Sequence, residues 1–365
     1  MIIIICSKNN KMVLNSLNNL NLFMKSSLSV VVVMAIATTM TACGVTTTPS
    51  NPAITNTATA TATTVKIESL PLVVATNSVT CDLAKQIAAD TINLKCLVEG
   101  GTDVHLYQPK PEDRKAIDSA KLILYGGYNF ETNLIKLIQS SSNTAPKVAI
   151  NEVAVPNPLL NSLGAEGTHS HEKEGKKDDK SEKEADPHVW NDAQNGIKIA
   201  QSISKSLSAL RPDRAETYTK NTAKLVREIE QIDTWIKVQI ATIPEGSRKL
   251  VTTHDALGYY AKAYGIPVEG ALNGISTEEQ PTPTRVKELV EVIKSSQVPT
   301  IFAEVSINPK LITTIAKEAN VKVSERELYT DGLGAKGSEA ETYTGMLMAN
   351  TRTIVEGLGG KYTSF

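Results

Sequence analysis

The stretch DRAETYTKNTAKLVREIEQIDTWIKVQIATI, residues 213–243, decides the architecture. Tyr218, Leu225, Ile229, Ile232, Ile236 and Ile240 recur at spacings of three, four and seven, which places them on one face of a helix. No Gly or Pro interrupts the run. The pattern predicts one amphipathic helix of about 30 residues, on the order of 45 Å long at 1.5 Å per residue. It stands midway between two segments in which short apolar runs alternate with helical patterns. On the amino-terminal side, strands are expected at residues 72–76, 94–98, 121–125 and 147–150, and helices at 79–89, 111–119 and 131–139. On the carboxy-terminal side, strands are expected at 250–253, 266–271, 300–305 and 321–323, and helices at 256–264, 283–295, 309–319 and 338–356. Alternation of this kind implies parallel sheet. The expected fold class is therefore α/β, with two parallel-sheet lobes, residues 65–211 and 244–365. One long rigid backbone helix, residues 212–243, joins them. A long surface helix inside a single domain is the plainer alternative.

Residues 1–43 read as an export signal outside the fold. Lys25 precedes an apolar run from Leu28 to Ala37, and small residues lead to Cys43. The run is shorter than the roughly 20 apolar residues a spanning helix needs. Met40-Thr-Ala-Cys43 resembles the lipobox of bacterial lipoproteins, which implies lipidation of Cys43. An ordinary cleaved signal with a chance cysteine is the alternative. Met24 is an alternative start, which makes residues 1–23 an upstream extension. Residues 44–64 are nearly all Thr, Ala, Pro, Ser and Asn and read as a flexible tether. The chain is thus expected to be exported, periplasmic or on the outer surface, and anchored to the cell membrane.

Of four cysteines, Cys81 and Cys96 remain beyond the leader. An even pair in an oxidising compartment is expected to form a disulfide, with two buried thiols as the alternative. A net charge of −1 and the lack of a basic cluster argue against a nucleic-acid partner. Residues 164–185 are mainly Glu, Lys and Asp, with His169 and His171. This segment is expected to be a disordered loop whose His-x-His pair offers weak secondary metal ligands.

The chain has five histidines, and three of them sit in separate motifs. His105 lies in Gly101-Thr-Asp-Val-His-Leu-Tyr-Gln-Pro109, His188 in Asp186-Pro-His-Val-Trp190, and His254 in Thr252-Thr-His-Asp-Ala-Leu-Gly-Tyr-Tyr260. Asp331 follows in Leu328-Tyr-Thr-Asp-Gly-Leu-Gly334. Three imidazoles and one carboxylate close a tetrahedral shell on Zn²⁺ and leave no position for a substrate water, which favours carrying a metal over catalysis. Ligands of parallel α/β sheets bind beyond the carboxyl ends of strands. His105 follows the second expected strand, His254 directly follows residues 250–253, and Asp331 follows the last. His188 emerges from the charged loop. With His105 and His188 in the first lobe and His254 and Asp331 in the second, the metal site is expected in the interlobe cleft. No His-Glu-x-x-His pair supports an anchored metallohydrolase. Taken singly, each of the four is more simply a surface group, a satisfied buried group or, for Asp331, a turn residue.

Together the motifs resemble the metal-binding solute receptors of ABC transporters, the zinc/manganese family called cluster A-I. The resemblance runs from about residue 70 to the carboxyl terminus. It also includes Gly274-Ile-Ser-Thr-Glu-Glu279 and Ile301-Phe-Ala-Glu304. It implies two α/β lobes joined by a long helix, a metal between them, no enzymatic activity, and delivery to a membrane permease by a monomeric receptor. By position, His105, His188, His254 and Asp331 match the four family ligands. Val104 stands where the family often has proline, and Gln108 where it often has glutamate. Zinc-type receptors carry histidine at the third position, whereas manganese receptors often carry glutamate. The charged loop is similar to that of the zinc branch, although shorter. Three neutral imidazoles also suit Zn²⁺ better than Mn²⁺. A manganese or iron receptor is the alternative within the family, and a surface adhesin the alternative from another class.

Overall fold

A computed structural model of the chain describes residues 69–162 and 183–365. The expected signal, the tether, Cys43, His169 and His171 lie outside the described residues.

The first sheet is built from β1 (Leu72–Ala75), followed by helix α1 (Ser78–Ala88), β2 (Asn93–Cys96), α2 (Pro111–Ser119), β3 (Leu122–Tyr125), α3 (Thr132–Ser140) and β4 (Lys147–Ala149). A short helix α4 (Ile150–Ala154) closes the segment. All four strands are parallel, in the order β2-β1-β3-β4. The central strands read LVVA and LILY, near-continuous apolar runs because parallel strands are covered on both faces. β2 reads NLKC and alternates exposed with half-buried positions, as an outer strand does. Asn77 caps α1 by accepting Thr80 N at 2.9 Å. Pro111 opens α2, and Lys110 N donates to Asp113 Oδ2 at 2.8 Å. Cys81 on α1 and Cys96 at the end of β2 form a disulfide, with Cα atoms 5.7 Å apart.

Two elements go beyond the sequence reading in the middle of the chain. Residues 183–185, assigned to a loop without structure, form β6 (Lys183–Ala185), paired antiparallel with β5 (Leu160–Ser162). A ladder is made by backbone groups, so a charged segment can still supply a strand where its ends are brought together. A helix start is expected next to Trp190 without a defined extent; the helix is α5 (Ala193–Leu210), 18 residues long and capped by Asp192, whose Oδ1 accepts Gln194 N at 2.8 Å. Helix α6 (Ala215–Ala241) follows after a single 3-10 turn at Pro212–Arg214. At 27 residues it is about 40 Å long. All six residues of the predicted stripe are buried, at 3% exposure or less.

The second half contains β7 (Leu250–His254), α7 (Gly258–Tyr264), β8 (Val268–Asn273), α8 (Pro283–Ser296), β9 (Thr300–Ile301), α9 (Lys310–Ala319), β10 (Lys322–Val323) and α10 (Tyr343–Gly357). β7 pairs with β8 and β9 with β10, all parallel, and Phe302 N donating to Val251 O at 2.9 Å joins the two pairs. β9 stops well short of residue 305, because beyond Ile301 the chain makes only a single bridge, Glu304 with Leu328. α10 begins later than expected because Thr342 is its extended N-cap, accepting Gly345 N at 3.1 Å. Among the described residues no helix is long and apolar enough to cross a membrane.

The main apolar core runs from Val73 and Leu124 of the first sheet through Ile199 and Ile203 of α5 and Ile229 and Ile236 of α6. It continues to Tyr260, Met346 and Ile354 in the second half. A smaller core lies under α8 and α9, around Val251, Leu289, Ile293, Ile301 and Ile315. One apolar core is therefore shared by the first sheet, α5, α6 and the elements α7 and α10 of the second half. Gly196 shows how tightly it is filled: a Cβ there would lie 2.0 Å from the hydroxyl of buried Tyr343.

Candidate metal centre

His105 lies in the connection from β2 to α2, and that loop is laid against the one carrying Asp331. Gly101 N donates to Leu333 O at 2.7 Å. A Cβ on Gly100 would lie 2.1 Å from Gly334 O, so the two backbones meet this closely only because position 100 has no side chain. Asp103 ties the turn further. Its Oδ1 accepts Leu106 N at 3.2 Å and its Oδ2 accepts Thr277 Oγ1 at 2.8 Å from the loop after β8. His188 follows Pro187, and His254 is the last residue of β7. Thr330, beside Asp331, has its carbonyl held by Trp190 Nε1 and Asn191 Nδ2, both at 3.2 Å.

These placements bring His105, His188, His254 and Asp331 together, with one ligand atom from each all lying within 4.8 Å of one another. All four are buried. The Nε2 atoms of His254, His188 and His105 approach Asp331 Oδ1 at 2.9, 3.2 and 3.6 Å. His105 Nε2, His188 Nε2 and Asp331 Oδ2 are nevertheless buried without a hydrogen-bond partner. Such atoms are costly when left unpaired, and a single cation at their centre satisfies all of them. The donor set fits Zn²⁺. A tetrahedron with metal–nitrogen bonds of about 2.1 Å has edges of about 3.4 Å, so a bound ion draws the widest pairs inward.

Carboxylates stand behind two of the three imidazoles. His188 Nδ1 and its backbone N both lie 2.9 Å from Asp186 Oδ1. His254 Nδ1 meets Glu304 Oε2. Phe130 presents its ring to His105 and His188 with centroids 5.2 and 5.7 Å away. The sequence reading gave Asp186, Glu304 and Phe130 no role. Asp186 carried a signal, since it is two residues from His188 inside a quoted motif. Glu304 also lay in a quoted motif, but its link to His254 spans fifty positions and appears only in the fold.

The electrostatics describe a site that holds a proton when metal is absent. Burial opposes a charged His254, but Asp331 and Glu304 outweigh it and lift its pKa well above 6.5. His188 is raised too, with Asp186 and Asp331 overcoming its burial. Burial favours a neutral Asp331, yet the charge of His254 and the three imidazoles that face it hold it well below 3.8. A raised histidine stabilises the fold below its unfolded pKa and loses that contribution as pH rises through the folded value. A lowered carboxyl stabilises above its unfolded pKa and loses the contribution as pH falls through the folded value. The metal-free protein is therefore expected to lose stability as pH is raised above 6.5. It should also lose stability in strong acid, below 3.8. A metal cation taken up by the imidazoles would displace the proton and remove the alkaline loss. Thermal melts across pH in chelator and in zinc test this, and a chelator profile flat on the alkaline side would contradict it.

The profile of a protein family described as zinc-uptake complex component A, periplasmic, matches residues 73–357. The chain is similar to the manganese ABC transporter substrate-binding lipoprotein PsaA of Streptococcus mitis, at 35% identity over 290 residues, covering 78% of this chain and 88% of that one. It is 36% identical over 292 residues to the metal ABC transporter substrate-binding lipoprotein ScbA of Streptococcus cristatus, with the same coverage. Among solved structures it is similar to the periplasmic zinc binding protein TroA from Treponema pallidum, with a TM-score of 0.71 and 30% identity. That match covers 80% of this chain and 99% of the other.

Proposed function

Since the chain belongs to the zinc-uptake component A family, the metal-binding receptors of ABC transporters, we propose that its cargo is zinc, held by His105, His188, His254 and Asp331. As a member of that family it is a substrate-binding component and not an enzyme. The observation that carries the proposed site is the convergence of three imidazole Nε2 atoms and one carboxylate in a buried cluster with unpartnered atoms. Three neutral imidazoles favour Zn²⁺, and a shell richer in carboxylate favours Mn²⁺. His254 is the residue that tips the balance. The relative from Streptococcus mitis is named for manganese and the structure from Treponema pallidum for zinc, so the cargo has to be measured on this chain.

The proposed receptor works outside the cytoplasm, anchored through lipidated Cys43, as a monomer that passes the ion to a membrane permease. His169 and His171 serve at most as weak secondary ligands. Elemental analysis of protein purified without added metal is expected to find one zinc per chain. In competition titrations His254→Glu should move the preference toward Mn²⁺, on ligand hardness. Manganese retained in preference by the unaltered chain, or no movement in the variant, would overturn the zinc assignment.

A further inference from the structure

Glu304 stands where the third and fourth residues of the cluster meet. It is fully buried, and four donors converge on its carboxyl group. Oε1 accepts the backbone N–H groups of Thr253 and His254 at 2.8 and 2.9 Å. Oε2 faces Nδ1 of His254 and accepts Thr330 Oγ1 at 2.7 Å. A carboxylate oxygen facing Nδ1 selects the imidazole form with its proton on that nitrogen. Nε2, the atom 2.9 Å from Asp331 Oδ1, is then the nitrogen that gives up its proton and offers its lone pair when a metal binds. Thr330 precedes Asp331 in sequence, so the oxygen that fixes the His254 ring also holds the loop that supplies the carboxylate. His188 differs. Its ring and backbone share one oxygen of Asp186, and the other oxygen of that carboxyl has no partner.

We propose that Glu304 is a positioning residue that keeps a proton on His254 Nδ1 and, through Thr330, sets the His254 ring and the Asp331 carboxylate as one unit. This role rests on His254 and Asp331 acting as metal ligands. It predicts the behaviour of a near-isosteric change, Glu304→Gln. The two backbone N–H groups can only donate, so the amide oxygen must take the place of Oε1. The amide nitrogen then faces Nδ1 and donates to it. The ring proton is forced onto Nε2, which removes the lone pair the metal needs.

The test reads the ring directly. Long-range ¹⁵N–¹H correlation spectra of the metal-free protein should show a proton on His254 Nδ1 in the native chain and a bare Nδ1 in Glu304→Gln. Zinc titration of the same variant should show a dissociation constant raised roughly 10–100-fold. Thr330→Val should keep the Nδ1 proton and weaken zinc less. The double variant should lose less than the sum of the two, on a logarithmic scale, because both changes break one unit. A protonated Nδ1 in Glu304→Gln, or strictly additive losses, would overturn the proposal. Should Glu304→Gln fail to fold by thermal melt, Thr330→Val decides, and unchanged zinc affinity there counts against it. The ring signal needs no metal. A native chain that takes no zinc but shows the expected change at Nδ1 would therefore refute the zinc site and not the tautomer control.

Discussion

Replacing His254 by alanine is expected to raise the zinc dissociation constant by about two orders of magnitude. A closed four-ligand zinc site is worth roughly 10–16 kcal/mol at neutral pH, or about 3 kcal/mol per ligand. Each 1.4 kcal/mol, approximately, is tenfold in affinity. The loss has two sources. A three-coordinate ion must find water in a buried site, and Glu304 Oε2 is left facing a cavity where His254 Nδ1 had been. Isothermal titration in competition with a chelator measures the effect, and a melt of the metal-free variant checks that it folds. Unchanged affinity in a folded variant would remove His254 from the site and with it the argument for zinc over manganese.

Zinc is also expected to stabilise the chain strongly while changing its shape little. At a thousandfold excess over the dissociation constant, linkage gives roughly 4 kcal/mol. Wide closure of the two halves would require bending α6, which has neither Gly nor Pro within its 27 residues. It would also require parting the core that runs from the first sheet through α5 and α6 to α10. Contraction around the ion is instead expected in the loops that carry His105, His188 and Asp331. A thermal melt with and without zinc, paired with small-angle scattering, tests both halves of this expectation. An unchanged melting temperature would mean that no tight site exists. A large fall in the radius of gyration would mean that α6 is hinged.

The spine was legible in sequence because its burial pattern is local. The stripe from Tyr218 to Ile240 repeats at helical spacing whatever surrounds it. The alternation of strands and helices on either side was legible for the same reason. The extent of α5 was not. The helix holds Gly196 and several serines, poor helix formers, and its glycine answers to Tyr343, almost 150 positions away. β9 is shorter than the expected strand because past Ile301 the chain pairs through an isolated bridge, Glu304 with Leu328, and not through a continuous ladder. The three histidines and Asp331 stood out because each sits in a motif of distinctive neighbours. The carboxylate behind His254 did not, since a glutamate in an apolar strand pattern says nothing about which donors it will meet. The disulfide followed from parity alone, because the leader leaves one pair.

That disulfide has a consequence for how copies of the chain behave toward one another. β2 is the outermost strand of its sheet, and an open strand rim invites another chain to add to it. Two features guard it here. Lys95 projects an exposed charge from the rim, and Cys96 is bonded down to α1 through Cys81. The strand is thus denied the freedom to peel away and pair elsewhere.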